Sequence, residues 1–278
     1  MPALYVVATP IGNLEDITLR AMRVLKEVKL IAAEDTRKTR KLLTAYGIKT
    51  PTTSYHEHNK LTKLDYILGR LENDDVALVS DAGTPGISDP GHELICAVLE
   101  RGITIVPVPG ASVLISSLAV SGLSTSSFSY LGFLPHRSGP RRSFLTLAKA
   151  EPRTLVFFES PHRLRESLED MLSILGDRRL TICRELTKLH EEIFHGSIGQ
   201  AIEKFGSPRG EFTLVVEGGG KSEKPAVDSA VEKRFSQLAR SGHKAREAVS
   251  ELAHETGLSR KELYRSWLKS KIKNPGSN

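Results

Sequence analysis

In the first half of the chain, short apolar runs alternate with stretches of helical apolar period, and that alternation limits the fold more than any other feature. A strand buried on both faces reads as an unbroken apolar run, and two parallel strands need a crossover long enough for a helix. The pattern predicts a doubly wound α/β domain built on a parallel sheet. Strands are expected at residues 4–8, 30–33, 77–80, 103–107 and 129–133. The first crossover helix carries Ile17, Ala21, Val24, Leu25 and Val28 on one stripe, with Asn13 as N-cap and Asp16 in its first turn. Further helices are expected over 38–46, 61–71, 93–101 and 111–120, with Gly47 and Gly102 as stops. This first domain, 1–134, ends near Leu134.

Residues 134–140 have the Pro, Gly and Ser content of a linker, and the alternation then restarts. A second α/β domain, 135–220, is read from strands at 155–158, 180–183, around 193–195 and at 212–217, with helices over 141–150, 164–175 and 198–205. Ser160 and Pro161 open the helix over 164–175 as N-cap and first-turn proline. Gly218 to Pro225 lacks any apolar period and reads as a tether. In the third segment, 221–278, a helix over 245–256, a Gly257-Leu258-Ser259 turn and a helix over 260–269 have a helix-turn-helix layout, with Ser259 and Glu262 as a capping box. A small helical C-terminal domain is expected.

The chain has 278 residues, 26% of them charged, and a formal net charge of +6, which suits a soluble protein with a polyanionic partner without identifying one. Its start lacks the pattern of a secretory signal and no run has membrane-spanning length, so a cytoplasmic location and no membrane partner are expected. Cys96 and Cys183 lie in apolar runs without ligand-spaced neighbours, so both read as buried fillers rather than a disulfide or a metal site. His56 and His58, two apart, have no clear third ligand, and no metal is expected.

Ligands of open parallel sheets bind beyond the carboxyl ends of the strands, which directs attention to three loops. The first, Thr9-Pro10-Ile11-Gly12-Asn13, lacks the GxGxxG fingerprint of dinucleotide sites. The second runs from Asp81 to Gly91 and packs two acids, three glycines and two prolines into a rigid loop whose backbone a ligand can approach. A carboxylate at Asp81 is placed to accept hydrogen bonds from a ligand amine or hydroxyls. In the third, Pro109-Gly110-Ala111-Ser112, small side chains let a flat adenosine lie against the backbone, or equally let a helix pack closely on the sheet.

Residues 4–18, the Ile31–Arg37 segment, the Asp81–Gly91 loop and Glu159-Ser160-Pro161-His162-Arg163 together resemble the ribosomal small subunit methyltransferase I family, within the tetrapyrrole methylase-like group. The resemblance spans roughly residues 4 to 217, with local departures at His92 and Val113-Leu114. It implies two α/β domains of tetrapyrrole methylase type with S-adenosylmethionine (SAM) in the cleft between them. It also implies a homodimer that methylates the ribose 2′-oxygen of a cytidine in the decoding region of 16S rRNA, in the small ribosomal subunit. Carried over by position, it implies cofactor contacts from Pro10, Asp81, Ala82, Gly83, Thr84, Ala111, Ser112, Glu159 and Leu186.

Transfer from a sulfonium needs the acceptor oxygen in line with the breaking bond, and a ribose hydroxyl must lose its proton as it attacks. Glu159 and Asp81 are the first candidates for the catalytic base, Glu34 the next; alternatively Glu159 holds the cofactor or caps a helix, and Asp81 is taken up by SAM. Arg37, Lys38, Arg40 and Lys41 open a helix where positive charge opposes the dipole, which favours a role toward phosphates. Tyr55, His56 and His58 offer stacking and hydrogen-bonding groups for unpaired nucleotides, and Arg141, Arg142, Arg163 and Arg165 extend a basic surface or are simply solvated. Two other readings compete: a tetrapyrrole methyltransferase, and a ligand-sensing DNA-binding regulator that reads a groove with Arg260, Lys261, Arg265 and Lys269.

Overall fold

The computed structural model describes residues 2–206, 208–219 and 245–256, together with positions 231, 234, 235, 237, 238, 260, 263, 264 and 267. It divides into two compact units, Met1–Gly219 and Gly220–Asn278.

The first unit contains two sheets. Strands β1 (Ala3–Val7), β2 (Leu30–Ala33), β3 (Thr52–Ser54), β4 (Val76–Val79) and β5 (Thr104–Val108) form the first, in the order β3-β2-β4-β1-β5 and parallel throughout. Its crossovers hold helices α1 (Leu19–Glu27), α2 (Thr36–Ala45), α3 (Lys60–Arg70) and α4 (His92–Glu100). Alternation along β2 shows the double winding: Ile31 and Ala33 join Val24, Leu25 and Leu43 on one face, whereas Leu30 and Ala32 join Ile67, Leu68 and Leu94 on the other. Pro107, which has no N–H for a ladder, sits on the edge strand β5.

Two local expectations are corrected. Asn13 caps a single 3-10 turn, Leu14–Asp16, while α1 starts at Leu19 with Thr18 accepting from the Ala21 amide at 3.0 Å. The polar strand β3 has no apolar signature to betray it, and it pairs with β2 at Thr52, Thr53 and Ser54.

The second sheet has the order β6-β7-β10-β8-β9, formed by β6 (Phe128–Phe133), β7 (Thr154–Glu159), β8 (Arg179–Arg184), β9 (Glu192–Ser197) and β10 (Phe212–Val216). Only β6 and β7 run parallel; the other pairs are antiparallel. The strand expected to finish the first sheet, around 129–133, is β6 and lies here, so the first sheet closes at Val108 instead of near Leu134. Helices α6 (Ser138–Ala148), α7 (Leu164–Leu175) and α8 (Ile198–Lys204) cover one face, burying Leu145, Leu168, Met171 and Ile198 against Leu155, Phe157 and Leu214. The other face takes α5 (Val113–Val120), whose Leu118 packs on Val156 and Val215.

Arg141, expected at a basic surface, is 2% exposed and its Nε donates to Asp170 at 2.7 Å, with Arg142 on the other oxygen of that carboxylate at 2.7 Å. Here the guanidinium braces α6 against α7. Cys183 is buried, and that burial, reinforced by the charge of Glu191, pushes its thiol pKa up to about 12; Cys96 is half-buried.

The second unit buries Val231, Phe235, Leu238, Ala248, Val249, Leu252, Leu263 and Trp267 together, with the Phe235 and Trp267 rings edge to face at 5.3 Å. Its α9 (Ala245–Thr256) coincides with the expected helix, and Leu263 and Trp267 serve a packed core. The tether from Gly220 to Pro225, the Gly257–Ser259 turn, Glu262, Lys261, Arg265 and Lys269 lie outside the described residues. Among the described residues no helix is long and apolar enough to cross a membrane.

Candidate functional site

All five parallel strands of the first sheet end at one edge, and the loops leaving β1 and β4, neighbours in the sheet, are tied together there. Thr9 and Gly83 exchange both backbone hydrogen bonds, at 2.9 and 3.0 Å, and the Thr9 hydroxyl donates to the Ser80 carbonyl at 3.1 Å. Gly83 has φ of +81°, a conformation that side-chain-bearing residues rarely adopt. The loop after β5 closes on the same place, since a Cβ at Gly110 would stand 3.1 Å from the Ala8 methyl. Ser112 ends that loop as N-cap of α5, accepting from the Ile115 amide at 3.4 Å.

The second sheet contributes the segment after β8, where two residues other than glycine, Glu185 and Thr187, have φ of +50° and +67°. Such backbone costs about 1–3 kcal/mol per residue and persists only where its surroundings impose it, typically at functional sites. Here the surroundings are the Glu211 carbonyl, which takes the Glu185 amide at 3.0 Å, and Lys188, which donates to Glu185 and Glu211 at 2.9 Å each. The strained turn interlocks with the first loop: Asn13 donates its amide to the Thr187 hydroxyl at 3.0 Å, and a Cβ on Gly12 would collide with Lys188 Cγ at 2.4 Å. Ile11, Cys183 and Leu186 form a small apolar cluster there, flanked by half-buried Ala111 and Val113. Ala111, Gly83, Ile11 and Leu186 thus gather at one seam between the sheets; Pro10 is buried in it, Thr84 is half-buried and Ala82 is exposed.

Asp81 is a structural hub. One oxygen accepts the Asp35 amide at 3.0 Å, the other meets the Lys38 ammonium at 2.8 Å, and its own amide donates to Glu34 at 3.1 Å. Further along the loop, Ser88 has φ of +63° and its hydroxyl hydrogen-bonds the Tyr130 hydroxyl on β6. Next to it, half-buried Asp89 has its pKa raised to about 6, first by burial and then by the negative charge of Glu34. From the sequence this acid counts toward the loop and is given no role; its signal there is only an acid between a serine and a Pro-Gly turn, because the positive φ of Ser88 and the burial appear in the fold alone.

Glu159 ends β7 at the level of Arg184, because both pair with Phe212 on the intervening strand β10. Its side chain is wholly buried and fully occupied: the Ser160 amide donates at 2.8 Å, the Ser167 hydroxyl at 2.6 Å and Arg163 at 2.6 Å. Arg163, in turn, donates to the Leu134 carbonyl at 2.9 Å and is 13% exposed, so it is an internal brace and not part of a basic surface. Glu159→Gln should lower stability by about 1–3 kcal/mol in a urea titration, by leaving the guanidinium without its counter-charge.

Tyr55 is corrected likewise: its side chain continues the alternation of β3 into the core, is 1% exposed, and has no face for a nucleotide to stack on. His58 is exposed, and His56 is half-buried with Nδ1 lacking a hydrogen-bond partner among the described residues. On α2, Arg37 pairs with Asp35 at 2.8 Å and Lys38 with Asp81, whereas Arg40 and Lys41 are exposed and form no ion pair among the described residues. Arg37, Arg40, Lys41 and Thr44 line an open cavity of about 530 Å³.

Residues 3–202 match the model of the family described as Tetrapyrrole (Corrin/Porphyrin) Methylases. A Ribosomal RNA small subunit methyltransferase I of Halalkalibacterium halodurans is 45% identical over 94% of this chain and 93% of its own length. The chain belongs to that family. A relative of the same name from Thermotoga maritima is 51% identical over 78% of this chain and 99% of its own length. In fold alone, the chain resembles the crystal structure of a diphthine synthase, with a TM-score of 0.60 at 14% identity over 77% of this chain and 90% of the other. Methyltransferases of this family use SAM. The residues present fit such a group: the glycines at 12 and 110 let the loops pack closely, Gly83 supplies a positive φ, and the small side chains of Ala82, Thr84, Ala111 and Ser112 beside them remain exposed or half-buried, leaving backbone within reach of a ligand.

Proposed function

We propose that the chain transfers a methyl group from SAM to the ribose 2′-oxygen of a cytidine in the decoding region of 16S rRNA, acting on the small ribosomal subunit in the cytoplasm as a homodimer. The observation that carries the reading is the seam where the loops after β1, β4, β5 and β8 interlock, within a chain nearly half identical to named rRNA methyltransferases. SAM, when bound, supplies an activated methyl on a sulfonium whose neutral thioether leaves readily. Pro10, Ala82, Gly83, Thr84, Ala111, Ser112 and Leu186 hold it, with small or apolar side chains that keep the backbone within reach. Asp81 fixes this floor to the start of α2 through Asp35 and Lys38. The Thermotoga relative, matched over 221 residues and almost its whole length, is about as long as the first unit, which supports assigning the transfer to that unit.

The acceptor proton needs a carboxylate that is not held by a cation. Glu159 is held by three donors, so its role is to position the end of β7, and Asp81 is paired with Lys38. Asp89, with a pKa near 6, suits proton acceptance at neutral pH and is the base in this reading. Arg40, Lys41 and His58 stand exposed around that edge to meet the RNA, with the exposed Arg37 beside them, whereas Lys38 is held by Asp81.

Labelled SAM offered in parallel to small ribosomal subunits, free 16S rRNA and a tetrapyrrole separates this reading from its nearest competitor. Label in RNA is expected. Label in the tetrapyrrole alone would overturn the assignment.

A further inference from the structure

At the opposite end of the first sheet, where β2 and β3 begin, a second open cavity of about 530 Å³ is lined by Lys26, Lys29, Lys49, Arg70 and Glu27, with Thr50 at its side. Lys26, Lys29 and Lys49 are exposed and form no ion pair among the described residues. The one acid in the lining, Glu27, is already paired with Arg23 at 2.8 Å. Arg70 holds Asp74 at 2.8 Å through one terminal nitrogen, while its buried Nε has no hydrogen-bond partner among the described residues. Three unpaired ammonium groups facing one cavity repel each other, so nothing in the fold itself accounts for their grouping.

The two basic cavities are joined by one helix. Helix α2 carries Arg37, Arg40, Lys41, Thr44 and Ala45 along the first cavity, and the chain leads on through Tyr46 to Gly47 and Lys49 in the second. Following one another along the chain, the two linings offer several cationic side chains in succession, which suits a stretch of sugar-phosphate backbone.

We propose that the Lys26–Lys29–Lys49 cavity is a second phosphate-binding site, which grips the RNA backbone flanking the target nucleotide while the cofactor edge holds the target itself. The inference rests on the RNA-methyltransferase reading and adds a site distant from the reacting atoms. Lysine at such a place acts as a point charge on phosphate, so it adds affinity and positioning and no base selectivity.

The test compares wild type, a K26Q/K29Q/K49Q variant, and a charge-matched control, R101Q/K149Q/R209Q, whose residues are exposed and lie outside both cavities. Binding to unmodified 16S rRNA is measured by filter retention across a salt series, and SAM binding by calorimetry. The cavity variant should bind RNA about tenfold or more weakly at 0.1 M salt. Its plot of log affinity against log salt should flatten by roughly two units, about 0.7 for each phosphate no longer neutralised, with SAM affinity unchanged. A cavity variant indistinguishable from the control, in a wild type active on RNA, overturns the inference alone. A wild type that methylates no RNA overturns the functional reading and the inference with it.

Discussion

Replacing Asp81 with alanine should weaken SAM binding by at least about a hundredfold while the protein stays folded. Two bonds of the carboxylate explain why the effect exceeds that of an ordinary surface acid: Asp81 accepts the Asp35 amide and pairs with Lys38. Truncation leaves Lys38 without its counter-charge and the Asp35 amide without its acceptor, at the point where β2 meets α2. The adjoining residues Ala82, Gly83 and Thr84 then lose their fixed position beside Thr9. Asp81→Asn, which keeps an acceptor for the Asp35 amide and loses the ion pair, should fall between wild type and alanine. Calorimetry measures both, with circular dichroism to verify folding; wild-type affinity in the alanine variant would mean that the loop does not form the cofactor floor.

The second large effect is expected at Asp89. Asp89→Asn should reduce the rate of methyl transfer about a hundredfold or more, the usual contribution of a general base, with SAM affinity unchanged. In the wild type the rate should rise with pH through about 6, because the carboxyl must be ionised to accept the hydroxyl proton, and the asparagine variant should lose that dependence. Stability separates this role from a structural one. The folded state raises this pKa from 3.8 to about 6, so it binds the proton more tightly than the unfolded chain does, and ionisation of Asp89 opposes folding as pH rises through that window. Asparagine removes the opposition, and the thermal midpoint at pH 7.5 should hold or rise. A slow variant that is also destabilised, or one that keeps the wild-type pH profile, would argue against Asp89 as the base.

Much of the fold was legible because it is written in local patterns. Gly47 and Gly102, expected as helix stops, both have φ of +64° just beyond α2 and α4, and the unbroken apolar run of β2 feeds both faces of the sheet. What escaped depended on distant partners. Nothing within residues 129–133 tells which sheet β6 joins, and a three-residue strand of Thr and Ser has no hydrophobic signature. The site divides in the same way: the glycine-rich loop and the small residues at 111–112 stood out, whereas the fates of Tyr55, Arg141 and Arg163 were set by burial that a single sequence does not display. Arginine is usually exposed and tyrosine intermediate, and each was absorbed because a partner awaited it: Asp170 for Arg141, Glu159 for Arg163, the Leu68–Leu94 core for Tyr55.

The central claim, methyl transfer to a ribose oxygen of small-subunit rRNA, is tested most directly by the chemistry of the product. Small ribosomal subunits incubated with the protein and methyl-labelled SAM are stripped to RNA and hydrolysed in alkali, which needs a free 2′-hydroxyl to cut each linkage. The account predicts label in an alkali-resistant dinucleotide whose first residue is a cytidine from the decoding region; label released with single nucleotides, or no label in RNA, would contradict it.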